Sequence, residues 1–257
     1  MKRKAAARLG ALALLVALLY AAVGVYNWTR PVPPAFPLTQ LPALSSGTAP
    51  ALPWPPGAQA AVGADGFGIL AATPDARPAP IASVAKMMTA LLTLHTHPLA
   101  VGEAGPIITV TSQDVAVYLQ DVAVDGSVVP VTAGEQLTEY QALQALLLPS
   151  ANNVASLLGR WADGSEAAFV QRMNQSAAAM ALAGTTFADA SGFDPRTVSV
   201  PSDLVRLAEL AMQEPVFAQI VGQASAVLPV AGTVFNVNAL LGQDSVVGVK
   251  TGNSVEA

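Results

Sequence analysis

The pattern of apolar and polar positions changes character several times along the chain. Residues 9–26 form one uncharged apolar run, about as long at helical rise as a bilayer's hydrocarbon core is thick. Between residues 30 and 57 the pattern dissolves: Pro31, Pro33, Pro34, Pro37, Pro42, Pro50, Pro53, Pro55 and Pro56 fix φ and remove donors, which predicts an extended, semi-rigid spacer. Short apolar stretches at 60–64 and 67–72 flank Asp65-Gly66, a hairpin turn signal. Residues 83–94 are apolar on all sides, as in a buried helix. Residues 107–111 read as a strand. Residues 135–148 read as a helix stopped by Pro149. Further helices are predicted at 154–161, 165–182 and 202–212, with Ser165-Glu166 and Ser202-Asp203 as starting caps. The β-branched residues 246–251 predict a strand, and 226–230 a weaker one. Strands, then a long helical insert, then a strand is an α+β order rather than alternating βαβ units. No internal repeat is present.

Composition sharpens this outline. Hydrophobic residues make up 53% of the 257 positions and charged ones only 11%, an excess that points to a membrane or signal segment. Lys2, Arg3, Lys4 and Arg8 precede the apolar run, and Tyr26 and Trp28 close it with residues suited to a membrane surface. A cleaved signal peptide and an uncleaved anchor both fit such a start; the length of the run and the want of a small-x-small cleavage site favour the anchor. The basic start then stays in the cytoplasm and the chain from Thr29 onward lies outside it. The expected organisation is an anchor or signal over 1–28, a Pro-rich linker over 29–58 and a catalytic domain over 59–257. A net charge of −5 without clustered Lys and Arg gives no nucleic-acid footprint. The absence of cysteine excludes disulfides, thiolate metal sites and a Cys nucleophile.

Beyond the basic start the chain has only two lysines, Lys86 and Lys250, so their settings are informative. Lys86 follows Ser83 by three residues, which places hydroxyl and amine on one helix face. A serine hydroxyl needs a base beside it, and a lysine serves if burial lowers its pKa. The flanking Ile81, Ala82, Met87 and Met88 offer that burial; the plainer reading is a capping serine with a solvated lysine. Lys250-Thr251-Gly252 ends the apolar 246–249 stretch. A fixed cation beside a glycine suits a substrate carboxylate; the plainer reading is a strand end with a turn. Ser150-Ala151-Asn152 follows Pro149. Taken alone, it reads better as a turn and helix cap than as a site.

Ser-x-x-Lys, Ser-x-Asn and Lys-Thr-Gly in this order form the signature of serine β-lactamases and penicillin-binding proteins. Residues 80–94 (PIASVAKMMTALLTL), 150–157 (SANNVASL), 185–195 (TTFADASGFDP), 200–210 (VPSDLVRLAEL) and 247–252 (VGVKTG) narrow the resemblance to the serine D-alanyl-D-alanine carboxypeptidases, the low-molecular-mass penicillin-binding proteins of peptidase family S11. The resemblance implies a β-lactamase/transpeptidase-like fold, an antiparallel sheet with a helical subdomain. It implies Ser83 as nucleophile, Lys86 as its base, and Ser150 as proton relay to the leaving D-alanine. It further implies Asn152 orienting the peptide, Lys250, Thr251 and Gly252 at the terminal carboxylate, and an oxyanion site on the backbone N–H groups of Ser83 and Asn253. Peptidoglycan stem peptides and β-lactam antibiotics are the implied partners, and no metal or cofactor is required. Asn253 stands where relatives often carry an aromatic residue or histidine. Family members also continue through two more strands and a closing helix, so a stop at Ala257 implies a chain truncated at its C-terminus, with strand 246–251 and the first hairpin short of partners.

Other readings are a D,D-endopeptidase or transpeptidase on the same scaffold, and an inactive truncated penicillin-binding protein. A class A β-lactamase is disfavoured, because no loop glutamate stands ready to hold a deacylating water. His95 and His97 read as helix-end surface residues without the carboxylate neighbours of a zinc site.

Overall fold

The computed structural model describes residues 52–54 and 56–253, together with Leu19 and Tyr20. The basic start, nearly all of the 9–26 run and most of the Pro-rich segment therefore lie outside the described residues. Among the described residues no helix is long and apolar enough to cross a membrane. The chain divides into two units after Pro50, and the second carries everything that follows.

The first hairpin forms as the Asp-Gly signal predicts: β1 (Ala61–Ala64) pairs antiparallel with β2 (Gly68–Ala72). Further on, β3 (Ala79–Pro80) pairs with β6 (Val198–Ser199), β4 (Ile107–Thr109) with β5 (Gln136–Thr138), and β7 (Ser225–Leu228) with β8 (Gly232–Phe235). Every pairing among the described residues is antiparallel, in two-stranded ribbons set around a helical core. The architecture is α+β.

The core is built on α1 (Lys86–Thr96), entered through a 3-10 turn over Ala82–Ala85. Residues 86–94 are all buried, which explains why that stretch shows no polar face. Packed around α1 are α3 (Glu139–Leu147), α4 (Asn152–Asp163), α5 (Glu166–Ala179) and α6 (Pro201–Met212). Helix α4 turns into α5 at Gly164, whose φ of 77° is the left-handed cap a glycine supplies without strain. Ser165 caps α5 as expected, accepting from Ala168 N. Helix α6 instead is capped by Val200, two residues before the predicted Ser202 cap, with Pro201 in its first turn. The β1–β2 hairpin packs against α6, and α7 (Pro215–Val221) packs against α3 and α6.

Two predicted elements differ. The expected helix over 135–148 begins only at Glu139, because residues 136–138 pair with β4, and Thr138 and Gln141 form a reciprocal capping box at the new start. The expected strand over 246–251 is irregular. β-branched residues favour extension, but a strand exists only where a neighbour completes its ladder. Here Val246 N–H donates to Gln243 O, and Gly248 O accepts from the Asn238 amide. The structure also contains α2 (Ser112–Ala123), which the apolar pattern alone had not marked. Its Thr111–Asp114 capping box is reinforced by Arg160, whose Nε and Nη2 donate to the Asp114 carboxylate at 2.9 and 2.6 Å.

One buried acid stands apart. Glu139, at the head of α3, is fully buried and neither carboxylate oxygen has a hydrogen-bond partner. Its burial pushes the carboxyl up to about 7.

Candidate active site

The 3-10 turn puts Ser83 at the mouth of α1 and Lys86 one turn deeper, where no part of the lysine reaches solvent. Lys86 Nζ donates to Ser83 Oγ (2.8 Å), Asn152 Oδ1 (2.7 Å) and Ser191 O (3.0 Å). These three acceptors use the full donor capacity of an ammonium. Burial, joined by the charge of Lys250, drives the amine well below its ordinary value, against the opposing pull of Asp189 and Asp121. A lysine so placed can exist as a neutral amine and take a proton from the hydroxyl beside it.

The entrance to this pair is locally strained. Ala82 has a φ of 47°, in the left-handed region, and its carbonyl runs against Gly192. A Cβ added at Gly192, whose φ is 79°, would stand 1.8 Å from Ala82 O, so only glycine fits. The loop carrying Gly192 is tied to α1 by Lys86 on Ser191 O and by Thr89 Oγ1 on Ala190 O at 2.6 Å. Asp189 shapes this loop, accepting from Ser191, Phe193 and Thr197.

Ser83 opens into a cleft of about 530 Å³ lined by Gly192, Phe193 and Pro195 on one side, by residues 124–127 on another, and by Asn152 and Asn253. Asn152 N–H donates to Ser127 O at 2.7 Å, and the Asn153 side chain both accepts from Val129 N and donates to Val129 O. The 124–129 wall is thereby fixed to the start of α4.

Of the residues the sequence singled out, Ser83, Lys86, Asn152 and Asn253 come together at this cleft. Ser150 is buried in a left-handed conformation (φ 66°), and its Oγ has no partner. Lys250, Thr251 and Gly252 run alongside: a Cβ on Gly252 would lie 2.8 Å from Ile81 O. Lys250 Nζ donates to Thr251 O at 2.8 Å, and burial lowers its amine to about 8. His95 is exposed at the end of α1 beside Glu214, whereas His97 stacks on Trp161 at 3.9 Å between ring centroids and is half-buried. Sequence reasoning did not single out Gly192, Phe193, Ser127 or Asp121 for the site. The first two stand within the quoted 185–195 stretch, whose position beside the site was expected.

This fold is that of the D,D-transpeptidases and penicillin-binding proteins. The Streptomyces K15 DD-transpeptidase superposes with a TM-score of 0.68 at 24% identity, covering 77% of this chain and 80% of that one. An evolved penicillin-binding protein homolog from Mycobacterium tuberculosis superposes at 0.62 with 28% identity, over 74% of this chain and 70% of that one. The chain belongs to the D-alanyl-D-alanine carboxypeptidase family, peptidase S11, whose family model matches residues 57–257. Among its relatives are a D-alanyl-D-alanine endopeptidase of Pseudomonas aeruginosa, 32% identical over 54% of this chain and 42% of that protein, and the D-alanyl-D-alanine carboxypeptidase DacB2 of M. tuberculosis, 31% identical over 58% and 48%. The matched regions thus span less than half the length of either relative.

Proposed function

We propose that the chain carries the catalytic site of a serine D,D-carboxypeptidase that removes the terminal D-alanine from peptidoglycan stem peptides through an acyl-enzyme on Ser83. The observation that carries this reading is the 2.8 Å contact between Ser83 Oγ and a lysine amine with no solvent exposure. Lys86 takes the hydroxyl proton as Ser83 attacks the carbonyl between the two D-alanines. The tetrahedral oxyanion rests on the backbone N–H groups of Ser83 and Asn253. Ser150 gives its hydroxyl proton to the leaving amine and takes in exchange the one Lys86 has collected, its unpartnered Oγ being free to reorient for that relay. Asn152 orients the peptide, and Lys250 with Thr251 and Gly252 meets the terminal carboxylate. Water then hydrolyses the ester, and a β-lactam, whose ring opens onto the same serine, stalls there. On this reading the basic start and the 9–26 run hold the domain on the outer face of the cell membrane.

A second reading is a D,D-endopeptidase. Lys250 does not line the cleft that holds Ser83, and one of its N–H groups donates to Thr251 O of its own chain. A site whose cation stands back from the cleft would tolerate a substrate whose chain continues past the scissile bond. The relative from P. aeruginosa bears the endopeptidase name.

The test incubates the full chain with penicillin and locates the adduct by mass spectrometry, then offers a pentapeptide ending in D-Ala-D-Ala and a cross-linked muropeptide dimer side by side. An adduct on Ser83 with free D-alanine from the pentapeptide supports the carboxypeptidase. Cleavage of the dimer alone supports the endopeptidase. An adduct that survives Ser83→Ala overturns both.

A further inference from the structure

One acid beside the site has no part in the reaction as drawn. Asp121 stands in the last turn of α2, where its own carbonyl accepts from Gly126 N at 2.8 Å as the chain turns toward the cleft. Its Oδ2 is sealed from solvent and has no hydrogen-bond partner. A carboxylate oxygen without water or donor is costly, so what it faces matters.

The backbone carbonyl and Cβ of Asp121 crowd Gly126, which also abuts Asn152. The point where a Cβ on Gly126 would stand is 3.1 Å from Asn152 Nδ2 and 3.5 Å from Asp121 Cβ. The opposite end of the same amide, Asn152 Oδ1, receives Lys86 Nζ at 2.7 Å. Gly126 is thus hemmed between the last turn of α2 and the Asn152 amide that receives Lys86. Gly126 leaves the room for this approach, since the space a side chain would fill is taken by these two neighbours. The charges in range are few: Asp121 faces Lys86 on α1, Glu166 at the start of α5 and Asp189 on the 185–195 loop. Lys86 faces Asp121, Asp189 and Lys250.

We infer that Asp121 is a positioning residue for the reaction of Ser83, its buried, unpartnered carboxylate acting by charge on Lys86 from beside Asn152. This deepens the proposed function and rests on Lys86 being the base. Two opposed influences then meet at Lys86: burial and Lys250 favour the neutral amine, while Asp121 and Asp189 favour the ammonium. Burial shifts the amine into a range where it can act, and the acids keep it able to hold the proton it takes from Ser83. Its own burial and the charge of Glu166 raise the Asp121 carboxyl above its ordinary value.

The sign of the effect is fixed. Removing a negative charge near a lysine lowers its proton affinity, so the neutral amine persists to lower pH. The test uses the full chain with Asp121→Asn, with Asp121→Ala as a second neutral variant and Asp121→Glu as the charge-restoring one. The chain has four lysines, Lys2, Lys4, Lys86 and Lys250, so ζ-nitrogen NMR on lysine-labelled protein follows Lys86 directly. We expect its titration midpoint to fall by roughly 0.5–1 pH unit in either neutral variant and to return toward the wild-type position in Asp121→Glu. The acid limb of penicillin acylation should move with it, making acylation on that limb roughly three- to tenfold faster in the neutral variants. A Lys86 midpoint unchanged in neutral variants that melt like the wild type would overturn the inference. A wild-type chain that takes no penicillin would refute the proposed function, while the NMR midpoint would still decide the role of Asp121.

Discussion

The carbonyl oxygen of Ala82 lies 1.8 Å from the position a Cβ on Gly192 would occupy. The residue before the nucleophile and the loop that walls the cleft therefore touch backbone to backbone. Gly192→Ala must push the loop away or twist the 3-10 turn, and it also forces a side chain into a left-handed φ, at about 1–2 kcal/mol. The expected outcome is a fall in melting temperature together with at least a tenfold loss of penicillin acylation. Titration with fluorescent penicillin beside thermal unfolding checks both.

Lys86→Met separates catalysis from stability. Losing a general base costs typically 10²- to 10⁴-fold, so acylation should fall by about that much. The fold should gain. The Lys86 amine has a proton affinity depressed on folding, so between its folded pKa and about 10.4 the unfolded chain binds more protons, and wild-type stability rises with pH across that window. Methionine removes the buried amine, so the variant should melt higher at neutral pH and show a flatter pH dependence. Melting curves from pH 6 to 10 make the comparison.

Glu139 gives the opposite slope. Its carboxyl, pushed up to about 7 by burial, binds a proton in the native state that the unfolded chain has already released above its ordinary range near 4.5. The stability tied to this group is complete below about pH 4.3 and is lost as pH rises through about 7. Glu139→Gln should therefore leave the melting temperature unchanged near pH 4 and raise it by about 3 °C or more at pH 8. A melting series over that range is the measurement.

Asp114 caps α2 and receives both Nε and Nη2 of Arg160. Its own burial would raise the carboxyl; the Arg160 and Thr111 hydrogen bonds outweigh this and hold it below the usual range. The stability it confers is present above about pH 3.9 and is lost as pH falls through the lowered folded value. Asp114→Ala removes the cap and leaves Arg160 unpaired, which should cost about 2–3 kcal/mol at neutral pH. Urea unfolding at pH 7 and at pH 3 should show the difference shrinking at the lower value.

The sequence carried the chemistry more plainly than the framework. Ser83 and Lys86 are three residues apart on one helix, so their meeting is local and legible, and the greasy flanks foretell the burial. Asn152 reaches the same amine only through the packing of α1 on α4, and it was found from its motif rather than its spacing. Helix α2 was legible but missed: Thr111 with Asp114 three residues on is a capping box, and Val115, Tyr118, Leu119 and Val122 recur at helical spacing. Residues 136–138 were misread because Gln136 and Leu137 favour helix, while pairing with β4, a non-local contact, decides otherwise. The 246–251 segment failed in the reverse sense, its β-branched residues having no ladder alongside among the described residues. The left-handed turn at Ala82 and the buried approach of Asp121 depend on tertiary crowding that no periodicity records.

The two walls of the cleft are each fastened to a helix of the core. The 185–195 loop hangs from α1 through Lys86 and Thr89, and the 124–129 segment hangs from α4 through the Asn152 backbone and the Asn153 amide. The gap between the walls is consequently the gap between two helix axes, reproduced at the surface as the jaws of a caliper reproduce the setting of its slide. Substrate fit is then governed from within the hydrophobic interior. A methyl group added or removed where α1 meets α4, out of reach of any ligand, would reset the mouth that a stem peptide or an antibiotic must enter.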